Sequence, residues 1–441
     1  MTRGQFLGTS LRLAGLSRLK YEGSALGKLL NPPDDSFVMT QQIKDAYEVA
    51  LKILKPTKSQ LEHGLELHRN SLVFDTYGFM PNASVDGAAI SAAMNNNASQ
   101  LELQDLREEM SRIRIVTVKN EQEEFKNAFR ASGVTCVFQN AGEEGNAIDR
   151  LIKRLSRFTY ITDMIPDFII KAATPDDIIR AKEENKHALY LTGNGVPLPQ
   201  QWVTVEEELR YIRVFFHLGI RMMHLTYNRR NPIGDGCGEP ANGGLSDFGR
   251  AVIKEMNKVG VIVDNSHSGW QTSLESALIS DKPVVTSHST VASINKVVRS
   301  KPDNVIKAVT DSGGYIGICC IPRFLGGTGD IAQFMKHIDY VKRKFGPDHV
   351  TIGVDVSHSS QYAGIENRII STTAARKSYR TRYEALWPDE PFNTTQEMRQ
   401  SMAWTNWPLF TVGMIQMGYS DYDIQKILGG NAIRVARAAL A

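Results

Sequence analysis

The chain is poor in the features that mark several large protein classes. It has 4 cysteines in 441 residues, and Cys136, Cys237, Cys319 and Cys320 show no C-x-x-C spacing. That excludes a disulfide framework and a cysteine-rich zinc module, and the four read as reduced core residues. An excess of one charge is also missing: 51 basic residues against 48 acidic ones leave a formal net charge of +3. Without a basic stripe or tail, no nucleic-acid partner is expected. No apolar run reaches the roughly 18 residues that a membrane span needs, so no transmembrane segment is expected. Thr2-Arg3-Gly4-Gln5-Phe6-Leu7 resembles a twin-arginine export signal that lacks its second arginine. Arg12, Arg18 and Lys20 interrupt the apolar stretch such a signal requires, and a cytoplasmic location is the expectation.

What is there is the composition of a globular protein, 42% hydrophobic and 22% charged, enough to bury a sizeable core. Residues 1–70 carry helical patterns, among them Gln41–Leu54 and Ser59–His68, and read as an N-terminal helical extension. From there short apolar runs alternate with amphipathic ones. The runs are Ser71–Asp75, Gly133–Gln139, Ala188–Thr192, Arg221–Tyr227, Val261–Asn265, Pro283–Ser287, Tyr315–Ile321 and Val350–Asp355. Most are followed by a helix-like stretch, such as Ser246–Val259, which opens on a Ser-Asp start signal and stops at Gly260. Eight strand-then-helix units predict an α/β fold, a parallel (β/α)8 barrel over residues 71–441 with C-terminal closing helices. An open doubly wound sheet is the runner-up, weakened because no Gly-rich phosphate loop follows the first strand. The polar helical stretch 80–130 lies between the first two strands as a candidate flap.

In such a barrel the active site forms where the strands end. Strand five ends in Val263-Asp264-Asn265-Ser266-His267, strand six in Val285-Thr286-Ser287-His288-Ser289, and strand eight in Gly353-Val354-Asp355. Two histidines on adjacent strand ends with a carboxylate two strands away suit a divalent metal beside a proton-transferring acid. A lone histidine is more often structural. That reading is the default for His63, His68, His187, His217, His224, His337, His349 and His358, and the bland role for Asp355 is a turn cap.

Beyond these positions, the chain resembles the membrane (renal) dipeptidase family from about Leu67 to Ala438. The resemblance rests on Gly244-Leu245-Ser246-Asp247-Phe248-Gly249, Met256-Asn257, the two Ser-His strand ends, Pro302-Asp303, Gly353-Val354-Asp355, Gly418-Tyr419-Ser420 and Gly429-Gly430-Asn431. It implies a barrel with two zinc ions bridged by a glutamate, hydrolysis of dipeptides and, by analogy, a homodimer. Matched position by position, His267 and His288 correspond to the ligands of the second zinc, Asp355 to the acid that moves protons, and Arg299 to the arginine that clamps the substrate carboxylate.

Three departures qualify that match. Tyr77 and Phe79 stand where the family has an H-x-D metal pair, and Leu191-Thr192-Gly193-Asn194-Gly195 has no carboxylate where the bridging glutamate falls. Tyr227 replaces a histidine that contacts substrate, and its phenol would still donate to an oxyanion. The first zinc site is therefore expected to be absent, leaving one zinc on His267 and His288, with Asp355 or Asp75 available to complete its ligand set. The function expected is a divergent metallohydrolase of a dipeptide or related amide, with Asp355 and Tyr227 catalytic and Arg299, Tyr77 and Asn194 binding substrate. The alternative is a non-hydrolytic relative that binds or tailors a peptide-derived small molecule, its vacated cavity filled by Tyr77, Phe79 and Asn194.

Overall fold

The computed structural model describes residues 39–142, 147–370 and 387–441. The export-like segment near the N-terminus lies outside them. Among the described residues nine strands form one parallel sheet: β1 (Phe74–Gly78), β2 (Cys136–Asn140), β3 (Ile169–Lys171), β4 (His187–Gly193), β5 (Ile220–His224), β6 (Ile262–Asp264), β7 (Val284–Ser289), β8 (Ile316–Ile318) and β9 (Val350–Ile352). The order is β1-β2-β4-β5-β6-β7-β8-β9, with β3 paired to β4 off that path. The eight strands of the path are those expected from the sequence. β3 is additional, and its three residues carry too little alternation to stand out.

The path curls back on itself beside β1. Val354 N donates to Asp75 Oδ1 at 3.0 Å and Asp355 N donates to Tyr77 O at 3.0 Å, so the chain after β9 is stitched to β1 and the eight strands make a nearly closed barrel. The two-residue period of the strands divides the side chains between two cores. Phe74, Cys136, Phe138, Tyr190, Met222, Ile262, Val285 and Tyr315 fill the interior together with Ala432, Val435 and Ala436 of the helix Asn431–Leu440. Val137, Leu189, Met223, Val263, Val284 and Ile352 face the surrounding helices.

Local rules written in the sequence hold at the helix ends. Ser246 Oγ accepts from Gly249 N at 2.9 Å at the start of the helix Asp247–Val259, and Gly260 ends it at φ 94°. The stretch between β1 and β2 holds three helices, Gly87–Asn95, Gln100–Thr117 and Lys119–Ser132. No helix among the described residues is long and apolar enough to cross a membrane.

One buried histidine pins the loop that follows β7. His337 Nδ1 accepts from Val291 N at 3.1 Å and its Nε2 donates to Leu325 O at 2.9 Å, an arrangement that requires neutral imidazole. Burial is the main force lowering its pKa, which falls to about 4. Because the folded value lies below the unfolded one, near 6.5, the stability this group contributes is complete above pH about 6.5 and is lost on acidification towards about 4. The urea midpoint should therefore drop between pH 7 and pH 4.5, and drop less in His337→Gln; an identical pH dependence in the variant would show that this histidine does not carry the effect.

Candidate functional site

Strand alternation and two tight junctions bring the polar strand ends to one mouth. Tyr77 ends β1, Asn194 follows β4, Tyr227 and Asn228 follow β5, His267 follows β6, His288 lies in β7, and Asp355 follows β9. The first two, with Phe79, Tyr227, Asn228, His267, Arg299, Asp355 and the segment Trp387–Glu390, line a cavity of about 660 Å³. That size suits a small-molecule ligand.

His267, in this lining, meets the fully buried His288. His267 Nε2 and His288 Nε2 are 3.0 Å apart. His267 Nδ1 lies 2.7 Å from Asn228 Oδ1, which also accepts from the Cys237 thiol at 3.4 Å. His288 Nδ1 lies 2.9 Å from Ser287 Oγ, and that hydroxyl donates to Asp264 Oδ2. With the Nδ1 protons assigned to Asn228 Oδ1 and Ser287 Oγ, the two Nε2 lone pairs face each other, as when outer partners hold metal-ligating imidazoles; the Arg299 guanidinium beside His267 favours the opposite tautomer there. Burial first, and then the Arg299 cation, hold both histidines well below the usual imidazole pKa. Lys301, fully buried with its ammonium on Ser268 O at 2.6 Å and Ser273 Oγ at 2.9 Å, adds to the positive surroundings. Its own pKa is pushed down to about 7 by burial.

Each histidine is faced by a tyrosine. Tyr77 stacks on His288 with ring centroids 3.7 Å apart, and Tyr227 on His267 at 4.2 Å. Tyr77 is 1% exposed, and its hydroxyl donates to Asn194 Oδ1 at 2.5 Å. Burial, reinforced by Asp355, raises its pKa well above 10, so it is a neutral phenol engaged with an amide. Phe79 packs edge-on to Tyr77 at 5.8 Å.

Arg299 is 3% exposed, and its Nη1 rests 2.5 Å from His267 Nδ1 and 3.1 Å from Nε2. Its Nε and Nη2 have no hydrogen-bond partner among the described residues. Two parallel N–H donors left open are the fork that a carboxylate fills. Asp355 sits at φ 55°, a left-handed conformation that aspartate tolerates better than most residues and that marks constrained functional positions. Asp75 points away from the histidines. Its Oδ2 accepts from Trp404 Nε1 at 3.2 Å and its Oδ1 from Val354 N, which leaves it structural rather than available to a metal.

Sequence reasoning passed over two groups. His224, assigned a structural role by default, lies within this cluster: Asp264, His288 and His224 each place one ligand atom within 4.8 Å of the others. Its position at the inward-facing end of β5 was the available signal. The second group is Trp387–Glu390, where Glu390 Oε2 accepts from Trp387 Nε1 at 3.2 Å and Oε1 has no partner among the described residues. This segment ends no strand, so a search of strand ends could not find it.

The description of the membrane dipeptidases, peptidase family M19, matches residues 61–369. The chain belongs to this family. A dipeptidase of Claviceps purpurea, tcpJ, is 25% identical over 282 residues, 63% of this chain and 57% of that relative. The match thus spans little more than half of the relative's length. An amidohydrolase from Pseudomonas aeruginosa has a similar structure, with a TM-score of 0.60 and 23% identity over 85% of this chain and 98% of that one. A metallopeptidase from Rhodobacter sphaeroides, solved with a phosphinate mimic of the dipeptide L-Ala-D-Ala, gives a TM-score of 0.56 at 14% identity over 84% and 100%.

The Tyr77–Asn194 contact is testable without a substrate. Tyr77→Phe keeps the stack on His288 but strands a buried acceptor, so unfolding free energy should fall by about 1–3 kcal/mol in urea denaturation. Adding Asn194→Leu should recover part of that loss. Simple additivity of the two losses would mean the bond is not formed.

Proposed function

We propose that the protein is a dipeptidase-like hydrolase of a small zwitterionic amide, working with one metal ion where the family uses two. The observation that carries this reading is the unpartnered Nε and Nη2 of Arg299 in a cavity lining shared with Asp355 and with His267, whose Nε2 meets that of His288. The donor set fits one ion: two neutral imidazoles with their lone pairs directed to one point. It does not fit a second, because the Tyr77 ring covers His288 and the Asn194 amide is bonded to the Tyr77 hydroxyl.

Zinc at His267 and His288 would supply Lewis acidity to the scissile carbonyl and to the attacking water. The chain's own groups divide the remaining work. Arg299 binds the substrate carboxylate through Nε and Nη2. Glu390, whose Oε1 is unpartnered in the same lining, receives the substrate ammonium. Asp355 takes the proton of the attacking water on its carboxylate and passes it to the leaving amine. Tyr227 donates its hydroxyl proton to the carbonyl oxygen as charge develops there. Tyr77 and Phe79 exclude water from the floor of the site.

A second reading, binding or tailoring of a peptide-derived molecule without hydrolysis, is favoured by Arg299 Nη1 lying 3.1 Å from His267 Nε2, where a cation already stands beside the paired nitrogens. Metal analysis separates the two. Plasma mass spectrometry of purified protein should find about one zinc per chain, lost in both His267→Ala and His288→Ala; no zinc after supplementation moves the assignment to the second reading. In a dipeptide assay Arg299→Lys should raise KM by roughly 10- to 100-fold, because a point charge cannot replace the fork. An unchanged KM would remove Arg299 from substrate binding.

A further inference from the structure

A catalytic zinc ordinarily takes three protein ligands, and the one-metal reading above names two. His224 is 0% exposed at the end of β5, in register with Asp264 on β6. Its ring centroid lies 5.1 Å from that of His267 and 5.4 Å from that of His288, which are themselves 5.0 Å apart. Three imidazoles bound tetrahedrally at 2.0–2.1 Å place their ring centres about 5 Å from one another, and the three centroid separations match that value, while the ligand atoms already within 4.8 Å of one another are those of His224, Asp264 and His288.

The two nitrogens of His224 have different surroundings. Nε2 lies 2.7 Å from Asp264 Oδ2, an ion-pair contact rather than an aligned hydrogen bond, and Nδ1 has no partner among the described residues. A fully buried ring nitrogen without a partner is costly unless something accepts or occupies it. Asp264 is an unsuitable inner ligand, because Ser266 N, Ser266 Oγ, Ser287 N and Ser287 Oγ all donate to its two oxygens. It is placed instead as the carboxylate behind a ligating histidine, the usual outer partner of such a ring.

We propose that His224 supplies through Nδ1 the third imidazole to the ion held by His267 and His288, with Asp264 clamping its far nitrogen. The inference rests on the one-metal reading. It replaces a site of mixed carboxylate and imidazole donors by three neutral nitrogens, which would leave the ion its full double charge and keep Asp355 out of the ligand set.

The test is X-ray absorption at the zinc edge of the zinc-loaded wild-type chain, together with zinc affinity by chelator competition. Three imidazole scatterers are expected in the wild type. His224→Gln should weaken zinc by more than the roughly 10- to 100-fold that loss of an outer partner costs, while Asp264→Asn should stay within that range. A spectrum with two imidazoles and tight zinc would overturn the His224 assignment and leave the one-metal reading standing. Failure of the wild type to bind zinc would remove both. The wild-type spectrum decides the ligand count even if His224→Gln does not fold.

Discussion

The mouth of this barrel is organised around one buried carboxylate. Asp264 has no contact with solvent, yet its pKa is lowered, because the favourable contacts from His224 and from Ser287 outweigh the desolvation that would raise it. A buried charge survives only when its partners are fixed, and here the partners are the backbone and hydroxyls of Ser266 and Ser287. Those two serines immediately precede His267 and His288. The carboxylate therefore sets the ends of two strands at once, and the 3.0 Å approach of the two imidazoles follows from it. Gly353 and Gly317 complete the junction, since a Cβ on either would fall about 2 Å from the Ser287 carbonyl oxygen.

Much of this was legible in the sequence, for identifiable reasons. The eight path strands announce themselves as short apolar runs, and the helix Asp247–Val259 by the capping serine and the terminal glycine that the structure uses. His267, His288 and Asp355 were visible because polar residues that end apolar runs in a parallel barrel converge. What stayed hidden depended on tertiary packing. His224 looks like an ordinary strand residue until Asp264 and two further imidazoles are placed around it. Glu390 enters the cavity from a distant loop, and no periodicity reports that. β3 is too short to carry a pattern.

Tyr77, Phe79 and Asn194, which the resemblance places at a first metal site, form a packed unit in this structure. Tyr77 and Phe79 supply aromatic area, and the Tyr77 ring stacks on His288. Its hydroxyl, which would be stranded in a dry pocket, is satisfied by Asn194, the residue at the other altered position. The two residues are physically coupled, because the buried phenol at 77 needs an acceptor and Asn194 supplies it.

The left-handed backbone at Asp355 has a further consequence for how this lineage can drift. Asparagine accepts that conformation nearly as well as aspartate and keeps the same outline. A single exchange of carboxylate for amide would abolish the proton transfer proposed for this residue while the barrel and its closure against β1 stayed as they are. Selection for a stable fold is blind to such a change, so in relatives of this chain the residue at this position reports whether chemistry is still being maintained, independently of how well the rest of the barrel is preserved.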